Sequence, residues 1–135
     1  MTTLVKRTTL IVRSLERSMA FYGDALSLTR NYDDKVVRCY VGRAAGGAGG
    51  RTRLVIMRAA DPVVGMIGLL EFTEPRLAEP AMPRTRLGIG DLVFVMQGDD
   101  VQGVHERAVR FGARIHAAPH EFRVRGADGR ELRMT

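Results

Sequence analysis

The sequence predicts an α+β fold built from two successive strand–helix–strands units. β-Branched, apolar runs at residues 8–12 and 91–96 are each followed by apolar positions recurring at helical spacing. Short strand-like segments come after each helix, and a proline-rich stretch separates the copies. The expected organisation is a single domain, with module 1 at 1–73, a linker at 74–86 and module 2 at 87–135. A chain of 135 residues accommodates one such domain.

The first strand is Thr8-Thr9-Leu10-Ile11-Val12. Ser14 supplies an N-cap and Glu16 suits the positive end of a helix. Leu15, Met19, Tyr22 and Leu26 then form an apolar helical face ending near Ser27. Leu28–Tyr32, Val36–Val41 and Arg53–Met57 read as short strands. The glycine-rich run between the last two, including Gly46–Gly50, costs too much backbone entropy to be rigid. It reads as a mobile hairpin or a lid; it lacks the Gly-Lys-Ser/Thr ending of a phosphate loop. Asp61-Pro62 is a turn, and Val63–Phe72 is a further apolar segment. Pro75, Pro80 and Pro83 exclude a helix or central strand, which makes 74–86 the linker.

The pattern then repeats. Asp91–Met96 reads as a strand, and Asp99 or Asp100 caps a helix carrying Val101, Val104, Ala108 and Phe111, closed by Gly112. Residues 113–116 and Glu121–Val124 read as strands, with a Gly126–Gly129 turn into Glu131–Met134.

Composition narrows the partners. Hydrophobic residues make up 45% of the chain, enough for a core, while no run approaches the ~20 apolar residues of a membrane span. The N-terminus lacks signal-peptide order, and Cys39 is the only cysteine, so a reduced, cytoplasmic chain without membrane partner is expected. Cys39 itself reads as a small buried hydrophobe. The formal charge of +6 comes from dispersed arginines, with only Lys6 and Lys35 as lysines. No basic arm or aromatic stacking platform accompanies them, so no nucleic-acid partner is expected.

The run Leu10-Ile11-Val12-Arg13-Ser14-Leu15-Glu16-Arg17-Ser18-Met19-Ala20-Phe21-Tyr22-Gly23-Asp24-Ala25-Leu26 resembles the opening strand and helix of the glyoxalase / bleomycin-resistance / extradiol-dioxygenase (vicinal oxygen chelate) superfamily. Asp91–Gly112 is similar, ending Arg110-Phe111-Gly112-Ala113. The resemblance implies two βαβββ modules whose sheet curls into a cup with helices outside, and a homodimer; set against that pattern, the last strand is expected to be missing from residues 1–135. It does not specify a reaction, because the superfamily spans lyases, isomerases, dioxygenases, thiol transferases and drug-sequestering proteins. The superfamily's divalent-metal positions carry over to Arg7, Glu71 and Asp91, with the fourth beyond Thr135. Arg7 stands where a histidine is usual and has no lone pair for a cation. A metal, if bound at all, would fall to Glu71 and Asp91. Ser27 replaces the glycine usual after the first helix, where φ can be positive.

Alternation places Arg7, Thr9 and Ile11 in the cup and Thr8, Leu10 and Val12 against the helices. Asp91, Val93 and Val95 would line the cup from the other module, and Tyr40 joins Arg7, Thr9 and Val93 as ligand-binding. The expected cluster sets the Arg7 guanidinium between Glu71 and Asp91, where a metal would otherwise stand. The leading reading is an enzyme of lyase, isomerase or dioxygenase type acting on a small polar or anionic molecule. Arg7 would hold the anion, and Glu71 or Asp91 would be the base or orienting carboxylate. The alternative is a non-catalytic module that sequesters an aromatic or anionic compound.

The remaining polar clusters have plainer readings. Pro119 disfavours a helix through His116 and His120, and in an extended segment they lie about 13 Å apart, too far to share a zinc ion. They are assigned to a surface or rim, and His105 to solvent. Asp99-Asp100 is a helix cap, and Met19, Met57, Met66 and Met96 are core packing.

Overall fold

The computed structural model describes residues 2–36, 50–82 and 85–135, which fall into two compact units, Met1–Phe94 and Val95–Thr135. The first unit contains β1 (Arg7–Ile11), α1 (Leu15–Ala20, continued by a wider π turn over Phe21–Ala25), β2 (Thr29–Val36), β3 (Arg51–Arg58) and β4 (Met66–Glu74). These strands form one curled mixed sheet in the order β1-β4-β3-β2, with β1 parallel to β4 and the other pairs antiparallel. The fold class is α+β.

Local chemistry explains the elements. The Ser14 hydroxyl accepts the Arg17 amide at 3.3 Å and starts α1. Leu15 packs beneath the helix against Val55, Met57, Ile67 and Leu69, with Leu10, Val12, Met19, Tyr22 and Leu28 around them. Burial pushes the Tyr22 phenol above its ordinary pKa. At the end of α1, Ser27 adopts φ +58°, the left-handed conformation expected at this position. The Leu28 amide reaches back six residues to the Tyr22 carbonyl at 3.0 Å, one residue farther than an α-helical cap because of the π turn. Serine pays a steric penalty here that glycine does not. Ser27→Gly is therefore expected to raise stability by about 0.5–1 kcal/mol, read as a higher urea midpoint at unchanged slope.

Two expectations change in this unit. The strand expected over Leu28–Tyr32 runs on as Thr29–Val36, and of the strand expected over Val36–Val41, residues 37–41 lie outside the described residues. The charged stretch Asp33-Asp34-Lys35 stays extended because Arg53 on β3 grips Asp33 through two bonds, 2.9 and 2.7 Å. The hydrogen bonds and charge of Arg53 hold the Asp33 carboxyl below its ordinary pKa. The segment read as starting at Val63 enters the sheet only at Met66, since Asp61 Oδ1 accepts the Val63 and Val64 amides in a turn completed by Gly65 at φ +74°. Residues 37–49, with Cys39, Tyr40 and most of the glycine run, lie outside the described residues.

The second unit contains α2 (Val101–Arg110) and a hairpin of β5 (Phe122–Arg125) and β6 (Glu131–Met134). Asp100 is the N-cap, accepting the Gly103 amide at 2.8 Å. Gly112 at φ +76° closes the helix, and the Ala113 amide bonds the Ala108 carbonyl. The Gly126–Gly129 turn forms as read, with Gly129 at φ +81°. Residues 113–116 form no strand. Nor do residues 91–96, which pair with no strand among the described residues. In the first unit β1 owes its ladder wholly to β4, and 91–96 lacks such a neighbour. Among the described residues no helix is long and apolar enough to cross a membrane.

Candidate functional site

The site follows from strand register. Thr9 pairs with Gly68, Gly68 with Ile56, and Ile56 with Tyr32, so one row crosses all four strands. Its side chains point away from α1, because the alternate residues Val55, Met57, Ile67 and Leu69 form the helix-side core. The next row, Ile11–Leu70–Leu54–Asp34, lies on the same open face. There Leu54, Leu70 and Phe72 form a second apolar cluster supported by Ile56.

At the end of the sheet where β1 begins, this face carries a cleft of about 650 Å³. Arg7, Thr9, Asn31, Tyr32, Ile56 and Met66 line it, together with Leu4, Val5 and Lys6 of the preceding segment. Two cations, a hydroxyl, an amide and a phenol therefore surround an apolar floor. Arg7 makes no ion pair or hydrogen bond among the described residues. The Tyr32 hydroxyl donates to Asp34 Oδ2 at 3.2 Å.

Tyr32 reaches this face through an irregularity. The pairing shifts between Arg30, opposite Met57, and Tyr32, opposite Ile56, leaving Asn31 as an extra residue. Such a bulge reverses the alternation, so Arg30 points to the helix side and Tyr32 to the cleft. Alternation alone assigns both to one face.

The residues singled out from the sequence separate. Arg7 and Thr9 share the cleft. Glu71 does not: it belongs with Ile67 and Leu69 on the helix side, where it is only 8% exposed. Its Oε2 accepts the Leu15 amide at 3.0 Å, tying the first turn of α1 to the sheet. Asp91 Oδ2 accepts the Gly88 amide at 2.6 Å, while the Asp91 amide bonds the Gly88 carbonyl at 3.1 Å. Val93 is 65% exposed. Tyr40 lies outside the described residues. The expected guanidinium between two carboxylates is therefore not formed among the described residues, because Arg7 makes no ion pair there and Glu71 faces the opposite side of the sheet.

The donor set does not suit the divalent metal that the resemblance implied. Arg7 has no lone pair, and the β4 positions on the open face are Met66, Gly68, Leu70 and Phe72, none a hard oxygen or imidazole ligand. Among the described residues no group of three or more His, Cys, Asp or Glu could hold a metal ion.

Two other clefts are distinct. One of about 340 Å³ lies between the end of β1 and residues 76–80, crossed by the Arg13–Glu79 ion pair at 2.9 Å. The other, about 470 Å³ within the second unit, is lined by His105, His116 and His120 beside α2 residues Val101, Val104 and Ala108. His116 and His120 are exposed as expected; His105, assigned to solvent, is half-buried.

No family model and no curated protein matches the sequence. Among solved structures, the chain is similar to the crystal structure of a glyoxalase family protein from Bacillus cereus. The two share 18% identity and a TM-score of 0.66, over 98% of this chain and 93% of that one. At this identity the likeness shows the fold, and the fold is the glyoxalase type that the opening strand and helix resemble.

Proposed function

We propose that the chain binds a small anionic organic molecule in the cleft on the open face of its first sheet. The observation that carries this reading is Arg7, a permanent cation without an ion-pair partner among the described residues, standing over an apolar floor. A guanidinium offers two parallel donors to a carboxylate, and Lys6 adds a second positive charge at the rim. Ile56 and Met66 supply the apolar contact, and Thr9 and Tyr32 supply hydroxyls at opposite ends of the row. Three strand spacings, about 14 Å, separate those ends, room for a molecule of one or two rings. A catalytic role for the same cleft draws on Tyr32 and Asp34, a phenol and carboxylate in contact that could relay a proton. Neither Glu71 nor Asp91 is needed by the binding reading.

The test is calorimetric titration with small carboxylates, benzoate first, against the neutral amide of each. Arg7→Gln is expected to weaken carboxylate binding at least tenfold and to leave amide binding unchanged, in line with about 1.5–3 kcal/mol for a charge-assisted bond. Equal binding of acid and amide, or an Arg7→Gln protein as tight as wild type, would overturn the proposal.

A further inference from the structure

Gly68 is the one position without a side chain in the row Thr9–Gly68–Ile56–Tyr32. Its φ is not positive, so the backbone conformation there does not call for glycine. The surroundings do. A Cβ placed on Gly68 would lie 2.7 Å from Thr9 Oγ1, 3.3 Å from Thr9 Cβ and 3.2 Å from Arg7 Cδ. Carbon atoms in comfortable contact sit at about 3.5–4.0 Å, so even one methyl group forces Thr9 Oγ1 to move and presses Arg7 Cδ outward by a few tenths of an ångström. Arg7 is paired with Met66, one step of the open face away, yet its aliphatic arm leans along the sheet toward the bare backbone at Gly68. The missing side chain is the notch in which that arm rests.

We infer that Gly68 is a positioning residue for the Arg7 guanidinium: by leaving a notch in the β4 surface, it holds the arm down on the sheet and fixes where the anion is met. This rests on the binding role proposed for Arg7, but the position of the arm is a property of the ligand-free protein and is measurable without any ligand. Filling the notch lifts the arm toward solvent, where a long side chain regains its rotamers and the preorganisation is lost.

The experiment compares wild type with Gly68→Ala and with the pair Thr9→Ala/Gly68→Ala. The pair removes the Oγ1 atom, the closest of the three contacts, and keeps the crowding of Arg7, so it guards against a variant that fails to fold. Thermal melts establish that each is folded. The first readout is 15N relaxation of the Arg7 Nε–H group, assigned by its disappearance in Arg7→Gln. The order parameter is expected to fall in both Gly68 variants. The second is benzoate affinity, expected to fall about tenfold on Gly68→Ala in wild type and less than twofold in the Arg7→Gln background. A merely structural role would lower affinity equally in both backgrounds. Unchanged Arg7 order in the folded variants overturns the inference, whether or not benzoate binds. Lost order with unchanged benzoate affinity upholds the positioning and overturns the binding role instead.

Discussion

Replacing Glu71 by alanine is expected to cost about 3 kcal/mol of stability. The Leu15 amide loses a charged acceptor, worth about 1.5–3 kcal/mol, and the side-chain methylenes leave a small gap in a buried site. Glu71→Gln keeps an oxygen acceptor in the same place and is expected to cost only about 1 kcal/mol. Urea titrations of the three proteins at neutral pH measure both values. On the folded fraction, neither substitution is expected to change carboxylate affinity, because Glu71 lies across the sheet from the cleft. A Glu71→Ala protein as stable as wild type but unable to bind would return this residue to the chemistry and take it away from the helix.

Leu15→Ala is expected to have the larger effect, about 3–4 kcal/mol. Leu15 is fully buried and is the one buried residue that α1 adds to the cluster of Val55, Met57, Ile67 and Leu69, so truncation opens a cavity that rigid strands on the other side cannot close. Leu15→Met, which conserves volume, is expected to cost less than about 1.5 kcal/mol. The same residue presents its amide to Glu71 and its side chain to the core, so the two anchors share one turn of α1. The Leu15→Ala/Glu71→Ala double variant is therefore expected to lose less than the sum of the singles, measured as a double-mutant cycle in urea. Strict additivity would mean that the hydrogen bond and the packing act independently.

Together these expectations describe a sheet with two separate duties. The helix side, closed by Leu15 and Glu71, holds the module together. The open side presents Arg7 and Thr9 next to a strip of bare backbone. Substitutions at Leu15 and Glu71 are expected to move stability, and those at Arg7 to move affinity.

Much of this architecture is written in local chemistry. The Ser14 cap, the Gly112 closure and the Gly126–Gly129 turn depend on neighbours a few residues away, and each forms as read. The two faces of β1 were equally legible, because half-buried Thr8 and Leu10 alternate with exposed Arg7, Thr9 and Ile11. β4 offers no such cue. Met66 to Phe72 is buried on both faces, so the pattern shows which residues share a side but not which side meets the helix. Docking of α1 through Leu15 decides that, and it carries Glu71 away from the cleft. Tyr32 was hidden for a different reason: the extra residue at Asn31 turns it over, and a bulge is set by pairing with β3 rather than by composition. Segment 91–96 has strand chemistry, yet a strand is a property of two chains' worth of hydrogen bonds, and its own residues supply only one. The sequence by itself thus determined the caps, the turns, the two faces of β1 and the charge carried by Arg7. Only tertiary pairing decided which face each side chain joins, because facing is a relation between strands that no single stretch of residues contains.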